Sequence, residues 1–218
     1  MTDKQITLLL ILIPLILSGM FLFDRISAKK HPSVPIVRTV LPTTDTTTKE
    51  NTIYIYDTIY QLLSRDNLVS KLSSIYTAEI GVRELTGKND GERVEEYLAS
   101  CGLEKGYAWC AAFINWCLLQ VGIKGAGSYS PNWFPKDKTI YTRGNKNNQT
   151  PSQCDIFGIY FAEKNRIAHV GFIDQWTEGS DYCITVEGNT NDTGAREGDG
   201  VYKKRRLKNQ IYKVSRWI

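Results

Sequence analysis

The chain has 218 residues, 42% of them hydrophobic and 23% charged, the composition of a globular protein with room for one domain and appendages. Its net charge is only +4, and much of it sits in one run, Lys203, Lys204, Arg205, Arg206 and Lys208. A run that short reads as the charged face of a strand pair or turn, so no nucleic-acid partner is expected, although a cationic face suits an anionic cell wall.

Ile6 to Phe23 is a stretch of 18 uncharged residues, ITLLLILIPLILSGMFLF, close to the roughly 20 that a helix needs to cross a bilayer. Followed by Asp24, Arg25, Lys29 and Lys30, it predicts a signal anchor or export signal over residues 1–30, with membrane association through residues 6–23. The basic residues after the span slightly outnumber Lys4 before it, a small bias towards a cytoplasmic domain. The chemistry argued below points the other way, and an extracytoplasmic catalytic domain, in the periplasm or at the cell surface, is expected. Residues 31–65 read as a tether, opening with the Pro/Thr-rich HPSVPIVRTVLPTTDTTTKE. From Asn51 onward, Ile53, Tyr54, Ile55, Tyr56, Ile59 and Tyr60 fit a helix packed on the domain or a helical stalk equally well. Residues 66–218 remain for the folded domain.

Leu68, Leu72, Ile75 and Tyr76 recur at helical spacing, which continues through Ile80 and predicts a first helix ending around Glu84–Gly87. A second helix, Glu92–Cys101, carries Val94, Tyr97 and Leu98 on one stripe and stops at Gly102, and a third, Trp109–Val121, stops at Gly122. Residues 128–151, with Pro131, Pro135, Gly144 and Pro151, read as a long loop, and a loop of that length commonly rims a binding cleft. Strand-like runs follow at 155–161, 167–176, 182–187, 200–206 and 211–217. Helices followed by short strands predict an α+β fold, N-terminal helices packed on an antiparallel sheet.

Five cysteines, at 101, 110, 117, 154 and 183, leave at least one thiol free in a monomer. Cys110 falls in the first turn of the third helix, where unpaired backbone N–H groups and the helix dipole stabilise a thiolate. Cys117 lies seven residues further along that helix, about 10 Å away at 1.5 Å per residue, and reads as core. Cys101 follows a helix and Cys154 and Cys183 open strands, positions without comparable activation. His31 lies in the tether, so a histidine base has to be His169. The strands around Thr177–Asp181 should pair as a hairpin, in a register that sets 169 opposite either 189 or 187. Either way His169, Glu187 and Asn189 share one face, which gives the base two orienting partners to choose between. No CxxC pair and one usable histidine argue against zinc, and no metal or cofactor is expected. Tyr107, Trp109 and Trp133 are candidate substrate-binding aromatics, Trp133 as a rim residue of the long loop, whereas Trp116 at helical spacing reads as core.

In order along the chain, Gly87-Lys-Asn-Asp-Gly91 with Tyr97, Tyr107-Ala-Trp-Cys-Ala-Ala-Phe113 with Trp116, His169-Val-Gly-Phe172 and Glu187-Gly-Asn189 resemble the CHAP domain, within the wider group of NlpC/P60 hydrolases. The resemblance implies a papain-like fold and a peptidoglycan amidase or endopeptidase, acting on peptidoglycan through a cysteine mechanism. It assigns the nucleophile to Cys110, the base to His169, the orienting acid to Glu187 and a further polar site residue to Asn189. Where the family often has a glycine before the aspartate that opens the first strand, this chain has Cys154 before Asp155. Two other functions fit parts of the pattern: a cysteine protease or amidase with a substrate outside the cell wall, and an inactive glycan-binding domain. An inactive domain should have lost the cysteine, the histidine or the acid, and none is missing.

Overall fold

The computed structural model describes residues 64–193 and 198–218. The apolar run 6–23 and almost all of the tether lie outside the described residues; among these, no helix is long and apolar enough to cross a membrane.

Helix α1, residues 64–78, buries Leu72 and Tyr76 and stops short of the expected end near Glu84–Gly87. The reason is tertiary. Gly81, at φ +103°, donates its N–H to the Val201 carbonyl at 3.1 Å, Val201 donates back to Val82 at 3.0 Å, and Glu84 donates to Asp199 at 2.8 Å. Pairing with the sheet replaces the helical bonds here and turns Glu84 towards the interior. Helix α2, Glu92–Ala99, buries the predicted stripe of Val94, Tyr97 and Leu98. Helix α3, Cys110–Gln120, buries eight of its 11 residues, including Ala111, Phe113, Ile114 and Leu118. A helix apolar nearly all round belongs inside the fold, and α3 is the central one.

The strands are β1 (Thr139–Thr142), β2 (Ile156–Phe161), β3 (Arg166–Trp176), β4 (Tyr182–Thr190), β5 (Gly200–Leu207) and β6 (Lys213–Ser215). Among the described residues they form one antiparallel sheet in the order β1-β6-β2-β3-β4-β5, so the α+β reading holds. The sequence missed β1: four half-buried residues inside a Pro- and Gly-punctuated stretch become a strand only by pairing with β6. One apolar cluster lies between the helices and Ile156, Val170, Phe172 and Val186. The alternate residues build a second cluster, Phe157, Ile173, Cys183, Ile211 and Val214.

Near the site the hairpin pairs Phe172 with Val186, which carries on to 171 opposite 187, the first of the two registers expected. A bulge between Ile173 and Gln175 then moves Trp176 opposite Cys183. Cys154 has a φ of +69°, in the left-handed region that glycine favours. Its Sγ lies 3.4 Å from the Val69 carbonyl.

Gly188 lets α3 lie directly on β4. A Cβ there would stand 2.7 Å from Trp109 Cζ3 and 2.9 Å from Phe113 Cβ, closer than any such contact relaxes without movement. Gly188→Ala should therefore destabilise the protein by about 1–3 kcal/mol, the usual effect of overpacking, read as a lowered thermal midpoint. An unchanged midpoint would mean that α3 does not depend on this close approach.

Candidate active site

Trp109 is the N-cap residue of α3 and Cys110 its first residue, and no side chain caps the helix. The first-turn N–H groups and the positive end of the helix dipole therefore lie at Cys110 with no side-chain cap competing for them. His169 comes from β3 next to a bulge: Ile159 pairs with His169 but Tyr160 with Ile167, leaving Ala168 unpaired. Such a bulge re-aims the neighbouring side chains, and here it turns the imidazole to the Cys110 thiol, with which it hydrogen-bonds. The ring packs edge-on to Phe157, centroids 6.3 Å apart. Its Nε2 lies 2.8 Å from Glu187 Oε2, which leaves Nδ1 for the thiol.

Glu187 is fully buried, and its two oxygens have four donors around them. Arg206 grips it bidentately, Nε to Oε1 and Nη2 to Oε2, each at 2.5 Å. Thr185 Oγ1 donates to Oε1 at 2.5 Å, and His169 takes Oε2. The carboxylate reaches the imidazole because Gly171, across the hairpin, has no side chain: a Cβ there would lie 2.9 Å from Glu187 Cγ.

Burial alone would push the Glu187 carboxyl up, but the bonds from Arg206 and His169 overcome it and hold the group down at about 2. Burial would lower the His169 imidazole, yet its bonds to Cys110 and Glu187 raise it to about 9. Burial would likewise raise the Cys110 thiol, but the imidazole, the Ser130 hydroxyl and the Val170 backbone bring it below the ordinary thiol value. The other four thiols move the opposite way, mainly through burial: Cys101 and Cys117 upward, Cys183 to about 11 and Cys154 to about 12. Cys110 is thus the one of the five thiols whose surroundings favour its ionised form.

The remaining sequence candidates fall in different places. Asn189, at φ +53°, does not bond the imidazole: its Nδ2 donates to Asn89 Oδ1 at 2.9 Å and to Glu84 Oε1 at 3.3 Å. It lines the same pocket as Cys110 and His169. Tyr107 is 58% exposed on the loop leading into α3. Trp109 and Trp133 are corrected from groove aromatics to core, because both are fully buried. The Trp109 indole donates to Glu84 Oε1 at 2.8 Å, and Trp133 packs on Trp217 with centroids 5.0 Å apart while donating to the Gly127 carbonyl. Sequence reasoning missed Arg206, Thr185, Glu84 and Ser130. Only Arg206 carried a signal: alternation along the basic run puts it on the same strand face as Lys204, opposite the faces of Lys203 and Arg205.

Cys110, His169, Asn189 and Arg206 line a pocket of about 1040 Å³ together with Arg143, Glu163 and Lys164. Residues 102–189 match the CHAP domain family. The match spans Cys110, His169 and Glu187. No curated protein matches the chain. Among solved structures, the chain is similar to the NlpC/p60 domain of the peptidoglycan hydrolase SagA, at 14% identity and a TM-score of 0.37 over 68% of this chain and 97% of that one.

Arg206→Gln removes the bidentate partner of a buried carboxylate. It should cost about 3–5 kcal/mol of stability in chemical denaturation, as breaking a buried ion pair does, and lower turnover as well. A variant with wild-type denaturation midpoint and activity would show that Glu187 is held without Arg206.

Proposed function

We propose that this CHAP domain is a cysteine hydrolase of papain-like design that cuts an amide or peptide bond of peptidoglycan, as an N-acetylmuramoyl-L-alanine amidase or an endopeptidase. The observation that carries the reading is the unbroken chain from Cys110 through His169 to Glu187, held from behind by Arg206. The CHAP match over residues 102–189 supports the hydrolase class and, through it, the cell-wall substrate. Arg143 and Lys164 on the pocket wall outnumber Glu163, its one free acid among the described residues, and favour a substrate carrying carboxylates.

The Cys110 thiolate attacks the carbonyl carbon, forming the C–S bond while the carbonyl electron pair moves to oxygen. The Cys110 backbone N–H and the other first-turn N–H groups stabilise that oxyanion. As the C–N bond breaks, the His169 imidazolium gives its proton to the departing amine. Water then attacks the thioester and yields its proton to the neutral imidazole, and the acid leaves as the thiolate–imidazolium pair is restored. Glu187 stays ionised throughout, fixing the ring and its charge. In this reading Asn189 and the exposed Tyr107 contact the substrate. The catalytic domain, 66–218, works outside the cytoplasm on the tether 31–65, anchored through residues 6–23.

Purified sacculi incubated with the full-length chain should release muropeptide fragments whose masses identify the bond cut. Cys110→Ala and His169→Ala should each abolish release, whereas Cys183→Ala should retain it. With His169 raised to about 9, activity should fall as pH rises through that value and the imidazolium loses the proton needed by the leaving amine. Release undiminished in Cys110→Ala would contradict the mechanism. Intact sacculi alongside cleavage of a simple amide would redirect the substrate away from the cell wall.

A further inference from the structure

A buried hydroxyl stands beside the nucleophile and comes from a part of the chain that carries none of the family motif residues. Ser130 places its Oγ 3.7 Å from the Sγ of Cys110, and each of the two residues is 5% exposed. A buried hydroxyl needs a hydrogen-bond partner, and the thiol is the partner the structure gives it. Cys110 and Ser130 are 20 residues apart, on separate elements, so their approach is a product of the fold.

The segment around Ser130 is built to hold that position. Ser130 opens a short 3-10 turn, Ser130–Trp133, with Pro131 restricting its first backbone angles. Trp133 anchors the turn in the core, its indole tied to the Gly127 carbonyl at 3.0 Å. Gly125 admits the tryptophan, because a Cβ there would lie 2.6 Å from Trp133 Cη2 and 2.6 Å from Asn115 Oδ1. That same Asn115 oxygen, on α3, accepts the Gly127 N–H at 3.2 Å. On the other side, Phe134 fills the space that Gly158 of β2 leaves open, where a Cβ would meet its ring at 2.5 Å. The hydroxyl is thus fixed both to the nucleophile's helix and to the strand beside the base.

We propose that Ser130 is a further catalytic residue: its hydroxyl donates a hydrogen bond to the Cys110 sulfur and helps hold the thiolate ready in the resting enzyme. A donor aimed at a buried anion favours the charged form, and it adds to what His169 and the helix end supply. The proposal rests on Cys110 being the nucleophile but not on the substrate being peptidoglycan, so its test uses no substrate.

The test is the pH profile of Cys110 alkylation by limiting iodoacetamide, with peptide mapping, on the full-length chain and Ser130→Ala. Loss of a hydrogen bond to a charged group should slow labelling at about pH 6 by roughly tenfold and move the rise in rate to higher pH. Ser130→Thr, which keeps a hydroxyl, should retain most of the wild-type profile. A structural role alone would lower the thermal midpoint of Ser130→Ala and leave the alkylation profile in place, which would overturn the proposal. Should Ser130→Ala fail to fold, Ser130→Thr decides: a profile shifted upward in a folded sample counts against the hydroxyl, a retained one for it. Failure to digest sacculi would leave this result standing and strike only the substrate.

Discussion

A carboxylate with no access to water is the constraint on which the site depends. Glu187 would cost several kcal/mol to ionise in an apolar interior without compensation, and Arg206, Thr185 and His169 supply it together. Because the guanidinium takes both oxygens in a fixed fork, the carboxylate has one orientation left, and that orientation meets His169 Nε2. The carboxylate then favours the charged form of the imidazole, which also hydrogen-bonds Cys110. Three strands and one helix converge here because each contributes one member of a single electrostatic chain.

Two glycines make the convergence sterically possible. Gly171 leaves the space through which Glu187 crosses the hairpin, and Gly188 lets α3 settle on β4, with Cys110 at its first turn. They sit inside the two short motifs that carry His169 and Glu187, so those motifs encode packing as well as polar contacts. The network around Glu84 does a related task next to Cys110, tying Trp109, Asn89 and Asn189 to the segment that leaves α1.

What the sequence disclosed was the part governed by local rules. Helical spacing found α2 and α3 within a residue or two, strand-like runs matched five of the six strands among the described residues, and Cys110 could be chosen from its place at a helix start. Pairing geometry brought His169, Glu187 and Asn189 to one face but left the partner of the imidazole open, because cross-strand neighbours differ only by which reaches further. What stayed hidden depended on contacts between distant segments. The end of α1 was decided by β5, the burial of Trp109 and Trp133 by the helices and the C-terminus, and the roles of Arg206 and Ser130 by strands and turns that no local pattern joins. Arg206 was read as one of five surface charges when it is the only one of them spent on the buried acid.

The central claim is that this chain of charges makes Cys110, alone of five thiols, a thiolate near neutral pH, and the measurement that tests it most directly is competitive labelling. Brief exposure of the folded wild-type chain to limiting iodoacetamide at about pH 6, below the ordinary thiol range, followed by peptide mapping, should find label on Cys110 well before the other four. The same experiment on Glu187→Gln should lose much of that preference, since the imidazolium would no longer have its counter-charge. Preferential labelling of Cys101, Cys154 or Cys183 with Cys110 unmodified, or a preference for Cys110 indifferent to Glu187→Gln, would contradict the account.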